Sequence, residues 1–224
     1  GCGVRAGISS NYETVMPAAA PILATVLFAA LAGAALPAAA QPFGAPPERN
    51  FYFGLMGGIT GGGDKLAEVR YSNGDRESVR AGGLAHIAAG VVWQPVLAPL
   101  SVQATIGWHV DGISADNGDI TFSRVPIEVL GYFTGVPNWR FGAGARFVRN
   151  AALEADVGGF VDTVTYKDAT GLVLEAGYRI APRGWLNLRY TDEQYEPERF
   201  NGAAIVPTGK TSARSVGLNL VWLF

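Results

Sequence analysis

The sequence predicts an all-β chain: an eight-stranded antiparallel up-and-down transmembrane β-barrel, preceded by a cleavable signal peptide. Three observations predict it. Residues 216–224 alternate as a strand, with Val216, Leu218, Leu220, Trp222 and Phe224 on one face. Such an apolar last strand would be an aggregation edge in a soluble protein, but in a closed membrane barrel it pairs with the first strand and faces lipid. Past residue 40 the apolar segments are short and alternating, and within each segment the charges fall on the opposite parity. Short Pro-bearing connections also alternate with long ones, the rhythm of turns on one side of a membrane and loops on the other.

Residues 17–37 are almost wholly apolar, and Ala38, Ala39 and Ala40 form a small-x-small site before Gln41. Residues 1–40 are therefore expected to be leader and signal peptide, with Met16 as the expected true start. Residues 41–49 would be a short periplasmic segment and 50–224 the barrel. A retained membrane helix is the competing reading, opposed by Pro17, Pro21 and Pro37 and by the lack of stop-transfer charges. The sole cysteine, Cys2, lies before the apolar run, so the mature chain would use neither disulfides nor thiol chemistry.

Composition narrows the class further. The 224 residues carry 17 Lys and Arg against 19 Asp and Glu, and loss of Arg5 and Glu13 with the leader keeps the net charge at −2. No basic stripe points to nucleic acid. The 30 glycines and the low charge content suit a β-barrel rather than a helical membrane protein.

The strands follow in order. Residues 50–60 place Phe51, Phe53, Leu55 and Ile59 together, and 81–93 place Ile87, Ala89, Val91 and Trp93 together. The third alternates Val102, Ala104, Ile106, Trp108 and Val110 with Gln103, Thr105 and His109. The fourth sets Val125, Ile127, Val129 and Phe133 against Arg124, Glu128 and Tyr132. The fifth sets Phe141, Ala143, Ala145 and Phe147 against Arg140 and Arg146. The sixth sets Leu172, Leu174, Tyr178 and Ile180 against Glu175 and Arg179. The seventh sets Leu186, Leu188 and Tyr190 against Asn187 and Arg189. Each is about the length a tilted membrane strand needs. Residues 61–80, 111–119, 150–170 and 192–211 would be the long loops, and both termini would lie in the periplasm. Trp93, Trp139, Trp185, Trp222 and Phe224 are expected in an aromatic belt at the periplasmic rim, with Trp108 at the opposite rim. Asn73-Gly74 favours a type I′ turn that would set Arg70 beside Glu77, with one bulge at Gly61–Gly63 or Gly82-Gly83 to reconcile the registers.

Arg124, Glu128, Arg140, Arg146, Glu175, Arg179 and Arg189 share the face opposite the apolar one. Lipid would tolerate them poorly, so they are expected inside as an ion-pair network. Eight strands leave just enough interior for side chains to fill, which favours a plug over a pore. His109 and Asp111 share a parity near the loop end, and Ser123 on the adjacent strand could complete a nucleophilic set only within hydrogen-bond reach. His86 has no metal partners at usable spacing. The acid-rich loops carry no calcium-binding repeat, so no metal and no cofactor is expected.

Residues 124–132, 140–147 and 216–224 resemble small proteobacterial outer-membrane barrels of the porin-family or OmpA/OmpX-like group. The resemblance implies an integral outer-membrane location and contact with outer-membrane lipids and lipopolysaccharide. It also implies a C-terminal signal of Leu220, Trp222 and Phe224 read by the barrel-assembly machinery. The roles it implies are non-enzymatic: adhesion, surface interaction with a host or surface ligand, or envelope integrity. The barrel would end the chain, without a wall-anchoring domain. The alternatives are a narrow small-solute porin and a lipid A-modifying enzyme built on His109 and Ser123. A soluble lipocalin would instead keep its apolar side chains inside.

Overall fold

The computed structural model describes residues 14–16, 49–71, 76–115, 118–206 and 209–224. The expected cleavage site and nearly all of the expected leader lie outside the described residues. A three-residue strand, Thr14–Met16, pairs in parallel with Lys65–Tyr71.

Eight strands form the barrel wall: β1 Phe51–Gly62, β2 Leu84–Trp93, β3 Leu100–Ala115, β4 Gly118–Phe133, β5 Trp139–Val157, β6 Ala169–Ala181, β7 Gly184–Tyr195 and β8 Ser215–Leu223. Each is antiparallel to the next. The cylinder closes where β8 pairs with β1, from Ser215 opposite Gly62 to Leu223 opposite Gly54. The Phe224 N–H donates to the Phe53 carbonyl at 2.8 Å, so backbone pairing continues to the final residue.

Closure removes the sheet edges, and the period of two then decides what each face meets. Ile106, Val129 and Leu218 point outward, 57, 46 and 47 % exposed. Their strand neighbours Thr105, Leu130 and Asn219 point inward and are buried. That orientation is the reverse of a lipocalin and is stable only where the outer surface meets hydrocarbon.

The strands run further than the alternation of apolar residues indicates. β3 and β4 reach 16 residues and β5 reaches 19, so 111–115 and 150–157 are strand rather than loop. Phe160–Tyr166 folds back on β5 and continues the wall to Pro197–Phe200 and Ala203–Ala204. At this height the wall reverses its chemistry in β5. Between the pairs Ser123–Ala152 and Val125–Arg149, one residue of β4, Arg124, opposes two of β5, Asn150 and Ala151. The extra residue is accommodated by Asn150 at φ 53°, a left-handed conformation that Asn tolerates. Below this bulge Arg146 and Val148 face inward, and above it Ala151 and Leu153 do. The loop end therefore has its own apolar core of Val79, Phe122, Val148, Ala151, Leu153 and Tyr195.

The ribbon between β1 and β2 pairs Lys65–Tyr71 with Arg76–Arg80. Arg70 lies opposite Arg76, and Glu77 lies opposite Val69, so the expected Arg70–Glu77 register is shifted by one residue. Residues 72–75 lie outside the described residues. Two single-residue steps restore the barrel register. One falls between Lys65 and Ala67, and the other between Thr60–Leu84 and Lys65–Arg80. The second holds Gly62 and Gly63 at φ 129° and 76°, where a side chain would be strained.

Candidate functional site

The inward parity of β4 to β7 gathers Arg124, Glu128, Arg146, Glu175, Arg189 and Glu193 into one network. Glu128 Oε1 accepts from Arg146 Nη1 at 2.7 Å and from Arg189 Nη2. Glu175 Oε1 accepts from Arg189 Nη1 at 2.8 Å, and its Oε2 accepts from Tyr132 Oη at 2.7 Å and Asn187 Nδ2 at 2.5 Å. Glu193 pairs with Arg146 Nε at 2.8 Å and with Arg124 Nε at 3.7 Å, and accepts from Tyr195 Oη at 2.8 Å. These arginines and carboxylates are at most 6 % exposed. Burial of an ion is tolerable only with such pairing, and Arg forks suit carboxylates that accept from several directions.

His109 joins the network from β3. Nη2 of Arg124 and Nη2 of Arg146 each lie 3.0 Å from Nδ1, and Nε2 lies 2.9 Å from Thr60 Oγ1. Two guanidinium donors make Nδ1 the acceptor, which places the ring proton on Nε2, donating to Thr60. The His86 ring lies 5.5 Å from that of His109, tilted by 55°, and its Nε2 lies 3.2 Å from Asn219 Oδ1. A cavity lined by Met56, His86, Thr105, Glu128, Arg146 and Asn219 has a volume of about 10 Å³, room for roughly one water.

Toward the short turns the chemistry changes. Arg140 packs its guanidinium 4.5 Å from the Tyr132 ring centre and 4.9 Å from that of Trp185, and Arg179 sits 4.6 Å from Trp185. Gly177 makes this possible, because a Cβ there would lie 2.9 Å from Arg140 Cγ and 2.2 Å from Asn187 Oδ1. Arg179 thus stands apart from the carboxylates, half-buried at the turn end.

Trp185 corrects the expected aromatic belt. It is 4 % exposed and faces the interior with Asn187 and Arg189, because it shares their odd parity on β7. Trp93, Trp108 and Trp139 are exposed on the outer wall, while Trp222 and Phe224 are partly buried. Trp139 lies parallel to Phe141 with ring centres 6.1 Å apart. Trp108 is seven residues short of the end of β3, so it marks the top of the outer apolar band rather than the end of the strand.

The nucleophilic set does not assemble. Ser123 lies opposite Val110, on the wall's outer parity, whereas His109 and Asp111 face inward and are buried. Asp111 Oδ2 instead accepts from the Arg80 backbone N–H at 2.7 Å and ties the ribbon to β3. Glu193 lies where β7 runs on into residues expected as loop, 192–195. Its parity with Arg189 and Asn187 was the available signal. Above the membrane-facing band, the Glu196 carboxyl is held below its usual range by the hydrogen bond from Lys167 Nζ at 2.5 Å. Asp192 raises Arg214 by accepting from its Nε at 3.1 Å.

A closed wall, apolar outside and ionised inside, defines an integral membrane β-barrel. The chain belongs to the outer membrane protein β-barrel domain family, whose model matches residues 26–224. It is accordingly a protein of the bacterial outer membrane. Comparison with the curated proteins gives no match. Among solved structures it is similar to Neisserial surface protein A at 13 % identity, covering 79 % of this chain and 98 % of the other, with a TM-score of 0.48. It is also similar to Ail, the attachment invasion locus protein of Yersinia pestis, in complex with the heparin analogue sucrose octasulfate. There the identity is 8 %, the coverage 78 % and 97 %, and the TM-score 0.46.

Proposed function

We propose that this protein is a non-enzymatic outer-membrane barrel with a sealed interior, whose loop end is a surface for contact with other molecules outside the cell. The termini of the mature chain and the short turns face the periplasm. Its work would be surface interaction, adhesion or support of the envelope, in contact with outer-membrane lipids and lipopolysaccharide. One observation supports the sealed interior above all: Arg189 reaches across the lumen to Glu128 while also holding Glu175. An apolar core including Phe122 and Tyr195 lies above that network. A hydrated ion would have to pass both the charged ties and the apolar core.

The catalytic reading loses its nucleophile because Ser123 and His109 occupy opposite faces of the wall. The porin reading would need the interior ties to open. Conductance of the purified barrel in a planar bilayer tests the choice. A sealed barrel gives no reproducible steps. Stable unitary steps that change with Arg189→Gln or Glu128→Gln would establish a pore. We further propose that Leu220, Trp222 and Phe224 are read during assembly. Phe224→Ala should lower outer-membrane yield in cells while leaving refolding in detergent intact, and equal yields would refute that role.

A further inference from the structure

We propose that the turn end of the lumen is a binding site for a small free oxyanion, a phosphate or a carboxylate, held by Arg140 and Arg179 on either contact of the Trp185 ring. Both guanidinium groups pack on that one indole, at 4.9 and 4.6 Å from its centre. Neither forms an ion pair with a carboxylate among the described residues, whereas Arg124, Arg146 and Arg189 all do. Arg140 is 2 % exposed, donates through Nε to Asn187 Oδ1 at 3.3 Å, and leaves Nη2 buried without a partner among the described residues. Arg179 Nε is likewise buried without a partner among the described residues, although the residue is only half-buried.

Two like charges beside one aromatic ring, with donors unfilled, leave a deficit that stacking alone does not remove. Cation–π contact offsets desolvation of the guanidinium faces but not of their in-plane N–H groups. Those N–H groups form a planar fork, the geometry that matches a carboxylate or phosphate. The ligand must be free in solution, because both side chains face the lumen and lipid lies beyond the wall. Its approach from the periplasm rests on the orientation proposed above, but the site itself does not.

The test titrates inorganic phosphate into the full barrel refolded in octyl glucoside, which has no phosphate headgroup, with chloride holding ionic strength constant. Both ends are open in a micelle, so failure here sinks the site and leaves the membrane orientation untouched. The expected result is a saturable change in tryptophan emission that disappears in Trp185→Phe and needs at least about ten times more phosphate in Arg179→Gln. Arg179→Lys should fall between, since it keeps the charge but loses the fork. Arg179 is half-buried, so its variants keep the test open should Arg140→Gln fail to fold. A response no larger than that of chloride, or one that survives both Arg179→Gln and Trp185→Phe, overturns the proposal.

Discussion

Arg189 and Glu128 hold one another across the barrel interior from β7 and β4, strands that share no backbone ladder. Arg189 spans to Glu175 as well, and Glu128 to Arg146. Opposite walls are thus joined through two bridged carboxylates. Removing Glu128 leaves two buried guanidinium groups short of a partner. Glu128→Ala should cost about 3–5 kcal/mol, the range for breaking a buried pair from one side. Urea titration of the refolded barrel, read from folded and unfolded gel mobility, measures it. A loss under about 1 kcal/mol would mean that the interior is hydrated and screens the charge.

Trp185 should behave unlike the wall tryptophans. In single-tryptophan variants refolded into bilayers of brominated lipid, Trp93 and Trp108 are expected to be quenched and Trp185 spared. The outward rings touch acyl chains, and the inward ring touches Arg140 and Arg179. Equal quenching of all three would return Trp185 to the belt.

Lipid A should be indifferent to this protein. Overexpression of the wild type is expected to leave its acyl composition unchanged by mass analysis, with Ser123→Ala and His109→Ala giving the same spectrum. Ser123 lies on the outer parity and His109 Nδ1 is occupied by two guanidinium groups, so neither can serve the other. An acyl chain lost with the wild type and kept with His109→Ala would contradict this.

The Lys167–Glu196 bridge gives the loop end a dependence on pH. Glu196 titrates below its usual value when folded. Its contribution is therefore fully present above the unfolded carboxylate pKa, about 4.3, and is lost as pH falls through the lower folded value. The same two residues also pair through the backbone, Lys167 N–H to the Glu196 carbonyl at 3.0 Å. Amide exchange at Lys167, corrected for the intrinsic rate, should be protected at pH 6 and lose protection near pH 3. Glu196→Gln should flatten the difference. Equal protection at both pH values in the wild type would show that the bridge does not hold Lys167 against Glu196.

The barrel wall was legible because its alternation has one meaning throughout the lipid band. Ile106 beside Thr105 and Leu218 beside Asn219 announce an apolar outside and a polar inside. The loop end was illegible for the opposite reason. There the inward residues are Ile113, Ile120, Phe122 and Leu153, so apolar side chains no longer mark the outer face. Asn150 also flips the parity of β5 partway along, which no count of alternation anticipates. Trp185 faces inward because its parity with Asn187 and Arg189 overrides the preference of tryptophan for interfaces. Glu193 has the composition of a loop acid, yet the same parity extended four residues further places it beside Arg146.

The most direct test concerns which side of the wall meets lipid. Nitroxide labels placed singly at positions 106, 129 and 218, with Cys2 removed, can be probed by collision with oxygen and with a water-soluble nickel chelate. The account predicts high oxygen and low nickel accessibility at all three positions in bilayers. Labels that are immobilised within the cylinder, or open to nickel, would contradict it.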